Sequence, residues 1–424
     1  MTKVTSVRGI VRVPGDKSIS HRSLILAALS DGTSAISGLL RSADVDSTAS
    51  VLKALGVQIE PRGETVTVRG RGLRGLLVPR SPLDCGNSGT TARLMAGVLA
   101  AHPFDSTLTG DASLSRRPMR RATEPLEQMG AHFTFEGVAD GLPLTIHGGT
   151  LASIGWHSRN ASAQIKSAIL LAALNAQVGA SVTEPRRSRD HTERMLAARG
   201  VPIVVDGNSI SIGAARSISA MDVHVPGDPS SAAFFVALAA LFPGRSIDLP
   251  GVCVNPTRTG FLSVVQRMGA TVSIDDADDS GGEPTGTIRA TGTDSLYGVS
   301  IGADEIPSMI DEIPMLACLA ARARGETVIT GASELRVKES DRISAVVKNL
   351  RAIGVEADER PDGMTILGSQ EPLSGTVETH GDHRLAMAFG VLAAVPGNAL
   401  EIDTPDCVSV SYPAFWSDLQ RVAQ

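Results

Sequence analysis

VPGDKSISHRSLILAALSDG (13–32) and VPGDPSSAAFFVALAALFPG (225–244) read as two copies of one segment, 212 residues apart in a chain of 424. Each opens on Pro-Gly-Asp, runs on through apolar residues at helical spacing and closes on Gly. A doubled chain builds two similar lobes, and a cleft between lobes is a natural place for a site. The second copy lacks counterparts of Lys17, His21 and Arg22. Residues that the fold alone requires recur in both copies, so those that do not recur are candidates for chemistry.

Four more segments of the same kind start near Asn87 (GNSGTTARLMAGVLAAHP), Ser162 (SAQIKSAILLAALNAQVG), Asp311 (DEIPMLACLAARARG) and Asp382 (DHRLAMAFGVLAAVPG). Each apolar helix is followed by a short β-branched stretch, such as 181–183 or 327–330, and then by a more charged helix. These second helices are expected at 48–55, 122–129, 191–198, 260–268, 340–350 and 414–422. Strand pairs with turns fill the gaps, for example 57–60 and 65–68 around Pro61-Arg62-Gly63. Units this short cannot each hide an apolar face, so three must pack around a common interior. The expectation is an α/β fold with a first lobe over 14–228 and a second over 1–13 plus 229–424. A first strand near 4–13 completes the second lobe, and the chain crosses between lobes near 13–16 and 225–229. The acidic run Asp275-Asp276-Ala277-Asp278-Asp279 lacks calcium-loop spacing and reads as a solvated loop.

The composition narrows the class. A chain of 424 residues exceeds the usual single core, which favours two domains. The net charge of −6 argues against a general nucleic-acid or membrane surface, so any anion site must be a local cluster of Lys and Arg. Cys85, Cys253, Cys318 and Cys407 form no CxxC and read as buried or half-buried thiols in a reducing compartment. With no signal-like N-terminus and no membrane-length apolar run, the chain reads as cytoplasmic.

Lys17 and Ser18 follow Pro-Gly-Asp at a helix start, where backbone N–H groups, the hydroxyl, the ammonium and Arg22 could cradle a dianion. A phosphate-binding GxxxxGKS loop is excluded because Asp16 separates Gly15 from Lys17. Taken alone, Asp16-Lys17-Ser18 is equally a helix cap. Gly86-Asn87-Ser88-Gly89 is a second Gly-rich turn opening a helix, with a bare tight turn as the bland alternative. Arg116, Arg117, Arg120 and Arg121 form a cation patch, of which Arg117 stands best placed for a ligand. Arg186, Arg187 and Arg189 repeat the pattern, with one of the three expected at ligand and the others at the surface.

Asp311-Glu312 lies in an apolar stretch, so it implies either a structural ion pair or a general base. Lys338 and Arg342, four apart, are expected on one helical face with an anion between them, or as a surface charge run. Asp382-His383-Arg384 adds a cation at another helix start. No metal-ligand spacing, no Rossmann glycine signature and no nucleophile elbow occurs in the sequence, so neither metal nor cofactor is expected. Many cations, few carboxylates and two lobes suit two small anionic substrates joined by acid–base catalysis.

In order, PGDKSISHR, GNSGTTARL, SAQIKSA, SRDHTERML, DEIPML, RVKESDRI and GDHRLAMAF resemble the signatures of the EPSP synthase family of enolpyruvyl transferases, across the whole chain. The resemblance implies two lobes of three βαβαββ units each, with the active site in the cleft between them. It implies transfer of the enolpyruvyl group of phosphoenolpyruvate to the 5-hydroxyl of shikimate 3-phosphate, in aromatic amino-acid biosynthesis, through a tetrahedral ketal that expels phosphate. It also implies sensitivity to glyphosate.

Carried over by position, Lys17, Ser18, Arg22, Ser162, Gln164, Arg189, Asp311 and Lys338 would hold shikimate 3-phosphate. Lys17, Asn87, Gly89, Arg117, Gln164, Arg342 and Arg384 would hold phosphoenolpyruvate. Asp311 resembles the base at the 5-hydroxyl and Glu339 the acid at the methylene carbon, with Lys17 close to the reacting atoms. Two positions depart from the pattern. Val410 to Pro413 lacks a Lys that some members carry before an aromatic-Pro pair, and Ala163 replaces a Ser. The related transferase acting on UDP-N-acetylglucosamine usually carries a Cys on a mobile loop, and 109–121 has none. A binding scaffold without catalysis would not need Asp311 and Glu339. The partners expected are the two small substrates, with no nucleic acid and no membrane, and the protein is expected to be a monomer.

Overall fold

Aspartate and serine caps start most of the apolar helices in the computed structural model, which describes residues 9–137, 139–280 and 282–423. Twelve α-helices occur among them: α1 Lys17–Leu29, α2 Ala43–Ala54, α3 Gly89–Ala100, α4 Arg120–Gln128, α5 Ala163–Ala176, α6 His191–Ala197, α7 Pro229–Ala240, α8 Gly260–Arg267, α9 Ile313–Ala320, α10 Arg342–Ala352, α11 His383–Ala393 and α12 Phe415–Val422. Asp16 accepts from the Ile19 N–H at 2.8 Å to start α1, and Ser88 accepts from the Thr91 N–H at 3.1 Å to start α3. Asp228, Asp341 and Asp382 cap α7, α10 and α11 in the same way. Each such cap stabilises its helix by about 1 kcal/mol.

The chain divides into two compact units: residues 15–225 with 280–283, here the first lobe, and 9–14, 226–279 and 284–423, the second. In the first lobe, α1, α3 and α5 are apolar and buried over most of their length, as central helices must be. α3 and α5 pack closely because Gly97 lies against the Ala168 carbonyl, where a β-carbon would clash. In the second lobe, α7, α9 and α11 are buried all round and pack on one another at the centre of a continuous apolar core. The more charged helices α2, α4, α6, α8, α10 and α12 stand where the sequence places them, to within a few residues at either end.

Each repeat contributes a small sheet, and among the described residues five of the six are four-stranded and mixed. In the clearest, Leu83–Asp84 pairs in parallel with Asp105–Thr109, which pairs antiparallel with Leu144–His147 and through it with His132–Phe135. The strand Val223–His224 pairs in parallel with Thr33–Ser37 and completes the first sheet of the first lobe. Gly9–Ile10 does the same for the second lobe against Ser246–Cys253, as expected of the N-terminal strand; its residues 4–8 lie outside those described. The sixth sheet has two strands among the described residues, Ser374–Val377 and Ala399–Ile402.

The acidic run corrects one expectation. Residues 275–279 belong to an edge strand, Thr271–Ser280, rather than to a loop. Pairing uses only the backbone, so Asp276 and Asp278 stay exposed, and charge on an edge strand deters pairing with other chains.

Candidate active site

Arg22 projects from the first turns of α1 into the first lobe and is 4 % exposed. Its Nε donates to Thr192 Oγ1 at 2.7 Å, Nη2 to Ser167 Oγ at 2.7 Å and Nη1 to the Ser18 carbonyl at 3.0 Å. None of these three acceptors is charged. Burial lowers the Arg22 pKa to about 10, with Glu193, Asp16 and Glu283 opposing by charge and Arg189 pushing it further down. It stays protonated at neutral pH. Arg186 and Arg187 are exposed and Arg189 is half-buried.

A second group of candidates gathers around the starts of α3 and α5. Gln164 Nε2 donates to Thr90 Oγ1 at 2.9 Å, and its Oε1 accepts from Arg93 Nη1 at 2.9 Å. Arg117 Nη2 donates to Asn87 Oδ1 at 2.9 Å, and Asn87 Nδ2 donates to Asp111 Oδ2 at 2.6 Å. A β-carbon at Gly89 would lie 2.7 Å from Arg93 Nη1 and 3.6 Å from Arg117 Nη1, so Gly89 faces both guanidinium groups. Ser162 occupies the cap position of α5 without a side-chain cap bond, and Ala163 is the first helical residue. Lys17 Nζ lies 3.0 Å from Asp44 Oδ2 on α2. Arg116 and Arg120 are exposed, and Arg120 pairs with Glu127 and Asp140 at the surface.

In the second lobe Arg342 is the hub and is 1 % exposed. It reaches Asp382 with Nε at 2.7 Å and Nη2 at 3.2 Å, Glu339 Oε2 with Nη2 at 2.7 Å, and Asp311 Oδ1 with Nη1 at 3.4 Å. Burial alone would lower its pKa, but Asp382, then Glu339 and Asp311, hold it above the ordinary arginine value. Asp382 shows the converse: burial would raise its carboxyl, and Arg342 holds it below the usual range. Asp311 also faces Lys338 Nζ at 3.7 Å and Arg384 Nη2 at 3.7 Å, while its carbonyl accepts from Arg384 Nη1 at 3.2 Å.

The expected shared helical face of Lys338 and Arg342 is a miss. Lys338 is extended, and α10 begins only at Arg342 behind its Asp341 cap. The anion between the two cations is the Asp311 carboxylate, which both approach from different backbone conformations. Glu312, the other half of the acidic pair, is buried and faces Arg384 Nη1 at 3.8 Å. It accepts from Ser230 Oγ, which in turn accepts from Arg258 Nη2 at 2.8 Å. Ser230 is the counterpart of Ser18 in the duplicated segment, so the second copy uses this position in an internal hydrogen-bond network.

Several neighbours of the site escaped the sequence reading. Arg93 stands four residues after Gly89 on α3, a spacing that puts both on one face and could have flagged it. Asp44 and Thr192 carry no local signal, because their partners come from distant segments; Asp382 is legible as a helix start, but its pairing with the distant Arg342 is not. The Lys absent before Tyr412 leaves a short 3₁₀ segment, Pro405–Val410, and a buried Tyr412 that donates to Asp418 Oδ2 at 2.8 Å. Cys85, Cys253 and Cys318 are buried free thiols and Cys407 is half-buried. Among the described residues no helix is long and apolar enough to cross a membrane.

Comparison with known proteins supplies the context. A family model described as EPSP synthase (3-phosphoshikimate 1-carboxyvinyltransferase) matches residues 1–419. A 3-phosphoshikimate 1-carboxyvinyltransferase of Bacillus licheniformis is 47% identical over 424 residues, covering 100% of this chain and 99% of that protein. One from Bacillus subtilis is 47% identical over 423 residues, with the same coverage. A solved EPSP synthase of Acinetobacter baumannii superposes with a TM-score of 0.88 at 41% identity, covering 99% of this chain and 96% of that one.

Proposed function

The chain belongs to the EPSP synthase family, the 3-phosphoshikimate 1-carboxyvinyltransferases, and from that premise we propose how its residues carry enolpyruvyl transfer. The reaction joins phosphoenolpyruvate to the 5-hydroxyl of shikimate 3-phosphate and releases inorganic phosphate. In our reading Arg22 and Arg189, with Lys17, Ser18, Ser162 and Gln164, hold shikimate 3-phosphate, with Asp311 and Lys338 at its reacting side. Arg117, Asn87, Gly89, Arg342 and Arg384, with Lys17 and Gln164, hold phosphoenolpyruvate.

Glu339 donates a proton to the methylene carbon, which makes the adjacent carbon electrophilic. Asp311 takes the proton of the 5-hydroxyl as that oxygen adds, giving a tetrahedral ketal. The ketal then returns a proton from its methyl group to the Glu339 carboxylate and expels phosphate, which takes up the proton held by Asp311, and the double bond is restored. Cations beside the leaving phosphate stabilise its charge in place of water. The observation that supports this reading best is the shared guanidinium of Arg342. It holds the proposed acid at 2.7 Å and faces the proposed base at 3.4 Å.

The test is phosphate release on mixing both substrates, with UDP-N-acetylglucosamine as the alternative acceptor. Release with shikimate 3-phosphate and none with the sugar nucleotide is expected; the opposite pattern overturns the substrate assignment. A cytoplasmic monomer fits this reading, and sizing by light scattering checks the oligomeric state.

A further inference from the structure

We propose that Lys166 is the positioning residue of the shikimate 3-phosphate grip, holding Arg22 and Arg189 in place from behind through two buried glutamates. This rests on the substrate reading above.

Lys166 sits two residues beyond Gln164 on α5 and is 1 % exposed. Its ammonium lies 2.8 Å from Glu184 Oε2 and 2.7 Å from Glu193 Oε1, both glutamates being buried. One arm runs through Glu184, which accepts from Ser188 N–H at 3.2 Å and from Ser188 Oγ at 2.6 Å. Those two bonds close the 184–188 turn immediately before Arg189. The other arm runs through Glu193, the residue after Thr192, whose hydroxyl accepts from Arg22.

Proton counting fixes that second arm. Ser167 Oγ donates its only proton to the Ala163 carbonyl at 2.6 Å and accepts from Arg22. Thr192 Oγ1 must therefore donate to Ser167 Oγ at 2.7 Å and accept from Arg22 Nε. Arg22 is thus supported by neutral hydroxyls whose placement depends on α5 and α6 being held together. Lys166 supplies that hold from the α5 side. Without its charge, two carboxylates would meet in an apolar interior, and an uncompensated buried charge forces rearrangement. Lys166 is placed on neither substrate, so its removal is expected to change affinity rather than the chemical step.

The test compares wild type with Lys166→Met and with the milder Ser188→Ala, using calorimetric binding of shikimate 3-phosphate and of shikimate, and steady-state kinetics. For Lys166→Met the Kd of shikimate 3-phosphate should rise at least about tenfold while kcat at saturation stays within about threefold. Ser188→Ala should weaken the same Kd by roughly two- to fivefold while lowering the thermal midpoint by only a few degrees. Shikimate, which lacks the phosphate, should bind both variants much as it binds wild type. A general packing defect would instead weaken both ligands alike, and that result overturns the proposal. So does wild-type affinity for shikimate 3-phosphate in the folded variants. If Lys166→Met fails to fold, Ser188→Ala decides alone. A wild type that binds no shikimate 3-phosphate overturns the substrate reading and this inference with it, whereas wild-type binding with unaltered variants overturns the positioning role only.

Discussion

Glu339 keeps its side chain 28 % exposed while one oxygen holds Arg342. It can therefore exchange a proton with solvent and still be fixed in direction. Replacing it by Gln retains an oxygen for Arg342 but removes the acid, so turnover should fall at least about 100-fold with shikimate 3-phosphate affinity within about threefold. Calorimetry that shows lost binding, with normal turnover of the bound fraction, would count against the acid role. His21 makes a different prediction. It is fully buried on α1 beside Lys17, and its Nδ1 meets Thr48 Oγ1 at 2.7 Å. Burial, partly opposed by Asp44, lowers its pKa from 6.5 to about 3. Between those values the unfolded chain binds a proton that the folded one refuses, so stability is full above pH 6.5 and drains as the pH falls toward 3. The loss should reach about 2 kcal/mol by pH 5. Asn at this position can still donate to Thr48 but does not titrate. Unfolding of His21→Asn by denaturant between pH 7.5 and 5 should be flatter than wild type by that amount, and parallel curves would remove His21 as the cause.

Helix starts are the elements that gather the candidates, and α3 shows how tightly. Gly89, Thr90 and Arg93 fall within its first two turns, and Arg93 joins Gly89 to Gln164 of α5. A methyl group at position 89 would meet the mobile end of Arg93 first and the Arg117 guanidinium just beyond. In Gly89→Ala, phosphoenolpyruvate can bind with a small shift, but a longer phosphonate such as glyphosate has less room. Inhibition should weaken at least about tenfold more than the KM for phosphoenolpyruvate rises, a specificity difference created by a clash. Equal changes in both would mean that the glycine does not line the inhibitor's space. The same element explains what was legible. Apolar periodicity and the Pro-Gly-Asp and Gly-Asn-Ser starts are local signals, so the helices, their caps and the glycines could be read directly. Lys338 could not be placed, because its extended backbone is imposed by the turn ahead of the Asp341 cap rather than by helix propensity. Thr192 and Asp44 were invisible because each acts through a partner from a distant segment, and of Asp382 only the cap, not the pairing with Arg342, could be read. The Asp275–Asp279 strand misled because its pairing uses the backbone alone.

Each lobe buries its own apolar core around three central helices, so each is a candidate for independent cooperative unfolding. The candidate residues for both substrates are shared out between the lobes: Arg22, Arg189, Gln164 and Arg117 in the first, Asp311, Lys338, Arg342 and Arg384 in the second. That division has a thermodynamic signature. A ligand stabilises only what it binds, by about 2.7 kcal/mol at a concentration 100 times its Kd. Scanning calorimetry of the free protein should resolve two overlapping transitions. Shikimate 3-phosphate with glyphosate should raise both, by roughly 5–10 °C for lobes of this size. Arg22→Ala should abolish the shift that shikimate 3-phosphate produces, while Glu339→Gln, which keeps the side chain's shape, should preserve it. If saturating ligand moves one transition and leaves the other in place, the substrates are held by a single lobe. The division of labour proposed for Asp311 and Lys338 on one side and Arg22 and Arg189 on the other would then be wrong.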